Sequence, residues 1–160
     1  MPRLRYVATW VAAEGDVLFA PETLAVFEMF TQRTHEREAG GILLGYRRGA
    51  HLEVIQATPP SIHDERRVAS FVRTPRVHQG IATSAWSNSG GVIDHVGEWH
   101  THSERNPTPS LVDRWEWATL ARRRSPSAPM LGVIVGTESL YVARLEHDGR
   151  ITVCMPAGDP

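Results

Sequence analysis

The sequence predicts an α+β (mixed α/β) fold in which helices flank a central sheet. Apolar runs of strand length recur along the chain, and the clearest are Gly40–Tyr46 and Met130–Val135. Between such runs lie stretches with apolar residues at helical spacing, as with Leu24 and Phe27. Strands and helices do not alternate strictly, which argues against a uniform series of βαβ units. The chain has 160 residues, the length of one domain, and we assign residues 1–160 to a single domain.

The individual elements follow from hydrophobic period and from turn residues. The predicted strands cover residues 5–11, 16–19, 40–46, 52–57, 70–73, 92–102, 130–135, 140–145 and 150–154. The predicted helices cover residues 21–33, 75–86 and 110–124. A turn is expected at 47–50, and polar loops are expected at 59–68 and 103–109. Pro21 suits a first helical turn, Gly90 and Gly91 end the second helix, and Asp148-Gly149 turns a C-terminal hairpin.

Composition narrows the classes of function. Hydrophobic residues make up 41 % of the chain and charged residues 22 %, as in ordinary globular proteins. A net charge of -1 provides no basic field for nucleic acid. No apolar run could span a bilayer, and the N-terminal residues do not resemble a signal peptide, so no membrane association is expected. Cys154 is the single cysteine, which excludes an internal disulfide and favours a cytoplasmic location.

The chemistry lies in a stretch that contains two closely spaced histidines. His100 and His102 are two positions apart on a predicted strand, so both imidazoles face the same side. Zinc binds imidazole nitrogens readily, and Asp113 on the next helix is the candidate for a third ligand. Asp113 shares a helical face with the apolar Trp117 and Leu120, and an inward carboxylate needs a partner or a metal. Three protein ligands leave a fourth position for water, which is the pattern of a catalytic site.

Ser110 lies three residues before Asp113, on roughly the same side of the helix, where its hydroxyl could reach the site. The pair also matches a helix capping box, which explains both residues without any metal. Capping does not explain the two histidines upstream, and the two interpretations are compatible. The full His-x-His, Ser and Asp spacing is expected by chance in roughly one chain in a thousand.

These residues form a pattern that resembles the signature of the JAB/MPN (JAMM) zinc metalloproteases. The second half of that signature is a glutamate ahead of a glycine-rich apolar strand, and Glu38 followed by Gly40–Gly45 is similar to it. The sequence of residues 97–102 most resembles that of small stand-alone bacterial members of the family. Some of these are encoded beside E1-like and E2-like proteins in antiphage operons. Many members have proline after the second histidine, where this chain has Ser103.

The resemblance implies a JAB/MPN-like mixed sheet flanked by helices and a role for each site residue. His100, His102 and Asp113 would bind Zn²⁺, Glu38 would act as general base and then acid, and Ser110 would donate to the oxyanion. The implied substrate is a ubiquitin-like protein cleaved after its C-terminal glycine, either from a lysine amine or from a short extension. Its partners would be that protein, its conjugates and E1-like and E2-like proteins of the same operon. An extended tail could add as a strand beside the sheet.

Several alternatives stay open at this point. Glu98 shares the strand face of the histidines and could serve as the base, or as a fourth ligand that makes the zinc structural. The chain could be a non-catalytic MPN scaffold, or a peptidase that processes a sulfur-carrier protein. A zinc deaminase is disfavoured, because its signature needs a Cys pair.

All 17 basic residues are arginine, which either codon bias or avoidance of lysine conjugation would explain. We expect Trp99, Trp115 and Trp117 in the core, and Cys154 not to act as a nucleophile.

Overall fold

The computed structural model describes residues 5–31, 37–61, 65–66, 71–72 and 75–158. Helices are α1 (Pro21–Met29), α2 (Pro75–Asn88) and α3 (Leu111–Arg122). Strands are β1 (Thr9–Val11), β2 (Val17–Phe19), β3 (Gly40–Arg48), β4 (His51–Ala57), β5 (Glu65–Arg66), β6 (Phe71–Val72), β7 (Asp94–Thr101), β8 (Met130–Val135), β9 (Leu140–Leu145), β10 (Ile151–Val153) and β11 (Met155–Pro156). No helix in the described ranges is long and apolar enough to cross a membrane.

Within the described residues, nine strands form one mixed sheet in the order β10-β9-β8-β7-β3-β4-β2-β1-β11, and β5 pairs with β6 separately. β7 pairs with β8 and β2 with β4 in parallel, while the other pairs are antiparallel. β7 and β8 are joined through α3, the crossover connection that parallel neighbours require. The predicted mixed α/β fold with helices flanking a central sheet is therefore confirmed.

The sheet is buried on both faces in its middle, which explains the apolar run of β8. Leu131, Val133 and Val135 enter a large core together with residues of α1, such as Leu24 and Phe27. Met130 and Ile134 point to the other face and pack with Trp117 of α3. A strand covered on both faces has no polar side, so β8 shows no alternation. α2 packs on the same face of the sheet as α3, where Ala82 contacts the β3 residues Ile42 and Leu44.

The two margins of the nine-stranded sheet are joined by one stretch of chain. β10 pairs with β9 at one end of the strand order and β11 pairs with β1 at the other, with only Cys154 between them. The Cys154 amide donates to the Val142 carbonyl at 2.8 Å, and the Ala157 amide donates to the Thr9 carbonyl at 2.9 Å. We call residues 151–157 the closing segment, because they bridge both margins. The two margins of the sheet therefore lie close together, and the sheet curves between them.

The structure corrects several predicted boundaries. β1 covers only residues 9–11 of the predicted 5–11, and α1 ends at Met29, while residues 32–33 lie outside the described ranges. The predicted turn at 47–50 shrinks to Gly49 and Ala50, because Gly49 has a φ of 61° and closes a two-residue hairpin. Arg48 therefore stays paired with His51. β5 lies inside the predicted loop at 59–68, and β11 had no counterpart among the predicted strands.

One predicted core residue is on the surface. Trp99 and Trp117 are buried as expected, but Trp115 is 70 % exposed. Around the helix axis, position 115 is rotated by about 200° from Asp113, whereas Trp117 lies on nearly the same side as Asp113. Trp115 therefore faces away from the sheet, on the outer side of α3.

Candidate metal centre and active site

The two histidines lie where β7 ends. His100 is the second-to-last residue of β7, and His102 follows the strand directly. The His102 amide donates to the Val135 carbonyl at 3.0 Å, so its backbone continues the pairing with β8. The strand alternation therefore persists to His102, and the two Nε2 atoms lie 3.2 Å apart. The prediction that both imidazoles face one side agrees with this geometry.

Asp113 reaches the same point from the first turn of α3. Its Oδ1 lies 3.2 Å from His100 Nε2, and its Oδ2 lies 3.3 Å from His102 Nε2. Ser110 is the N-cap of this helix, and the capping box is complete. The Asp113 amide donates to Ser110 Oγ at 3.1 Å, and the Ser110 amide donates to Asp113 Oδ2 at 2.8 Å. The cap and the cluster thus coexist, and the cap fixes the direction of the Asp113 carboxylate.

The three side chains lie close enough together to bind one metal ion. Across the residues the structure describes, a group of potential ligand atoms within 4.8 Å of one another is formed by His100, His102 and Asp113. Metal bonds of about 2.0–2.1 Å place the ligands of a tetrahedral ion roughly 3.3–3.4 Å apart. The two Nε2 atoms, 3.2 Å apart, are close to that spacing, and each lies 3.2–3.3 Å from a different oxygen of the Asp113 carboxylate. The group is therefore compatible with one metal ion bound by both histidines and one Asp113 oxygen. Two imidazoles and one carboxylate also form a donor set typical of catalytic zinc.

Electrostatics within the cluster favour an anionic Asp113. Burial opposes ionisation, but hydrogen bonds from His100 and His102 outweigh it and hold the pKa of Asp113 far below its usual value. For His102, burial opposes protonation. Hydrogen bonds to Asp113 and Glu104 outweigh the effect of burial, and the net result is a raised pKa of His102. The cluster is therefore built around a fixed negative charge, as a cation site requires.

Glu38 lies beside this cluster without belonging to it. It stands two residues before Gly40, which pairs with His100 across β3 and β7. Burial raises the pKa of Glu38, while the charges of His100 and His102 lower it in part. Its carboxylate is near enough to interact with the cluster, yet it is not in the group of potential ligands. That placement suits a proton acceptor rather than a ligand.

Glu98 occupies a different environment. It lies in the middle of β7, paired with Ile42 on one side and with Gly132 on the other, and it is 6 % exposed. Among the described residues, the group of potential metal ligands does not include Glu98. The geometry therefore favours Glu38 over Glu98 as the carboxylate next to the cluster.

Trp117 sets the position of α3 against the sheet. Its ring is stacked on Tyr141, with centroids 6.1 Å apart, and lies 6.3 Å from the His100 ring. A Cβ atom at Gly132 would lie 2.4 Å from Trp117 Cε2, so only glycine lets the helix approach β8 this closely. One turn earlier on α3, Asp113 is thereby held against β7.

Two residues at the site were missed by the sequence analysis. Glu104 Oε1 lies 2.9 Å from His102 Nδ1, on the far side of the ring from Asp113. Thr101 lies between the two histidines and bonds to Ala39. Glu104 has a local signal, a carboxylate two residues after a candidate ligand in a loop. Thr101 has none, because its partner is 62 residues away.

The fold and the geometry of this site define the class of protein. The chain belongs to the family described as prokaryotic homologs of the JAB domain, which matches residues 22–147. A solved structure from Desulfitobacterium hafniense has the same fold, with a TM-score of 0.62 and 20 % identity, and the match covers 86 % of this chain and 88 % of that one. The resemblance to the JAB family is confirmed.

Particular relatives refine that class. A Pseudomonas aeruginosa (strain BWHPSA011 / Pa011) protein named CD-NTase/cGAS isopeptidase is 39 % identical, and the match covers 96 % of this chain and 99 % of the relative. A protein of the same name from Vibrio cholerae serotype O1 is 35 % identical, and the match covers 69 % of each chain. The family and these relatives together support an isopeptidase-type hydrolase.

Proposed function

We propose that this protein is a zinc isopeptidase that hydrolyses the bond after the C-terminal glycine of a ubiquitin-like protein, with residues 1–160 forming one JAB/MPN domain. The observation that supports this most is the close grouping of potential ligand atoms of His100, His102 and Asp113, with Glu38 beside them. His100, His102 and Asp113 would hold Zn²⁺. When bound, zinc lowers the pKa of a water molecule to about 7 and polarises the scissile carbonyl.

The protein's own residues then move the protons and stabilise charge. Glu38 accepts a proton from the attacking water and transfers it to the leaving amine. The oxygen of Ser110 already accepts the Asp113 amide, which leaves the hydroxyl hydrogen to donate to the developing oxyanion. Ser110 is exposed, so a substrate carbonyl can reach it.

The substrate and partners follow from the family and from the names of the relatives. An (iso)peptide after a terminal glycine suits a narrow site that an extended tail enters. The relatives are named for a CD-NTase/cGAS, which makes a CD-NTase carrying a ubiquitin-like modifier the target that we propose. E1-like and E2-like proteins of an antiphage operon would form that conjugate in the cytoplasm.

The rival functions are less consistent with the site. A non-catalytic MPN scaffold has no use for a complete set of ligands with a carboxylate beside it. Processing of a sulfur-carrier protein would use the same chemistry on a different tail. The identity of the leaving group distinguishes deconjugation from processing. Deconjugation releases a lysine side chain, and processing releases a short C-terminal extension.

Metal analysis and product mass spectrometry test the proposal together. Purified protein should contain about one zinc per chain, and the double variant His102→Ala with Asp113→Ala should lose it. His51→Ala is the matched control, since His51 is exposed on β4 and outside the cluster. Wild-type protein should release a ubiquitin-like protein ending in glycine from a conjugate. Zinc retained by the double variant, or cleavage at scattered sites, would contradict the proposal.

A further inference from the structure

Thr101 lies between the two histidines and faces the opposite way. Strand alternation sends His100 and His102 to the metal side, so the Thr101 side chain points into the core, where it is 0 % exposed. There it meets Ala39, which is also fully buried and directly follows Glu38. The segment that supplies two ligands therefore also contacts the residue next to the general base.

Both polar backbone groups of Ala39 are bound to Thr101. The Thr101 amide donates to the Ala39 carbonyl at 2.9 Å, and the Ala39 amide donates to Thr101 Oγ1 at 2.9 Å. The second bond uses the side-chain hydroxyl rather than a backbone carbonyl. It lies beyond the regular pairing of β3 and β7, which begins at Gly40. The threonine hydroxyl thus extends the pairing by one residue toward Glu38.

This bond restricts Glu38 through the planar peptide that precedes Ala39. The Ala39 N–H belongs to the same rigid unit as the Glu38 carbonyl. The Glu38 Cα atom lies in the same plane, so when the peptide is held by Thr101 the point from which the Glu38 side chain starts is held as well. Thr101 therefore acts on Glu38 from its C-terminal side, through Ala39.

We propose that Thr101 is a positioning residue, whose hydroxyl fixes the peptide between Glu38 and Ala39 and thereby holds the Glu38 carboxylate against the metal ligands. The inference rests on the proposed function, because it concerns the placement of the general base. It ties the base to the ligands through a single tripeptide. Any shift of the histidine strand would therefore carry the backbone of Glu38 with it.

Thr101→Val tests the hydroxyl. A displacement of about 1 Å can cost a reaction about 100-fold, so kcat should fall by roughly 10–100-fold, a part of the general-base contribution. KM and zinc affinity should stay within about twofold, because no ligand is changed. Thr101→Ser retains the oxygen and should recover most of the kcat. In a Glu38→Gln background, Thr101→Val should cause no further loss, since there is no base left to misplace.

Thr58→Val is the matched control. Thr58 makes the same two bonds to Ile42, further along β3: the Ile42 amide donates to its Oγ1 at 2.9 Å and its own amide donates to the Ile42 carbonyl at 3.0 Å. It is equally buried, and its partner Ile42 lies four residues after Glu38, so its bonds do not hold the peptide next to Glu38; its hydroxyl also contacts His78 Nδ1 at 3.0 Å. Thr58→Val should lower stability and leave kcat close to wild type at temperatures below unfolding.

Three results would overturn the inference: an unchanged kcat in Thr101→Val, a loss of zinc affinity in that variant, or effects of Thr101→Val and Glu38→Gln that multiply. If Thr101→Val does not fold, hydrogen exchange in wild-type protein decides. The Ala39 amide should exchange far more slowly than that of the exposed Arg37, and equal rates would refute the bond. A wild-type protein without hydrolytic activity would instead refute the proposed function.

Discussion

Glu38→Gln should separate metal binding from chemistry. The amide has nearly the same shape as the carboxylate, and Glu38 is outside the group of ligand atoms, so zinc content should be unchanged. The backbone that carries it is held through Ala39, which the substitution does not alter. Glutamine accepts no proton at neutral pH, so the attacking water would lose its base.

The size of the loss follows from the role assigned to Glu38. General-base catalysis contributes about 10²–10⁴-fold, which corresponds to about 3–5 kcal/mol in the activation free energy. We therefore expect kcat on a ubiquitin-like conjugate to fall at least 100-fold, with KM and zinc affinity within about twofold. Steady-state kinetics with product mass spectrometry and metal analysis measure the three quantities.

Glu98→Gln is the control, because Glu98 is the carboxylate of β7 that shares the strand face of His100 and His102. It is buried between β3 and β8 and outside the ligand group, so its amide variant should keep most of the activity. Should Glu98→Gln abolish hydrolysis while Glu38→Gln stays near wild type, the base would be Glu98. The assignment of the element around Glu38 would then be wrong.

Three other substitutions and treatments address the surroundings of the site. Glu104→Ala removes the carboxylate that holds His102 Nδ1 and should weaken zinc binding about 10–100-fold in a chelator competition; unchanged affinity would exclude this role. Burial raises the pKa of Cys154 to about 11, so at pH 7.5 only about three thiols in ten thousand are ionised. Alkylation should therefore be slow in folded protein and quicken as the pH rises toward 11, and Cys154→Ala should keep its activity. Gly132→Ala places a Cβ 2.4 Å from Trp117 and should lower the free energy of unfolding by about 1–3 kcal/mol in urea; a change below about 0.5 kcal/mol would show that the helix moves freely.

Much of the site could be predicted because its signals are local. The two histidines are brought together by strand alternation alone, and Asp113 is oriented by a capping box formed with Ser110, three residues earlier. Trp115 could also have been placed correctly from local information, since the face of α3 that carries Asp113 and Trp117 leaves position 115 on the opposite side. That error came from treating tryptophan as a core residue regardless of helical phase.

The features that escaped prediction depend on distant pairing. The bond from Ala39 to Thr101 and the pairing of β11 with β1 join segments that no sequence window contains. β11 has only two residues, one of them Pro156, so it carries no strand pattern of its own. Its conformation is dictated by β1 alongside it, through the Ala157 amide.

The closing segment has a consequence for the order of folding. Val11, near the beginning of the described chain, pairs with Met155, near its end. During synthesis β1 therefore emerges long before its outer partner, and the curved sheet stays open until residues 151–157 have left the ribosome. Contacts this distant in sequence make folding slow, and until they form both sheet margins are available to other chains. Shortening the protein by this one segment would thus expose two aggregation-prone edges at once.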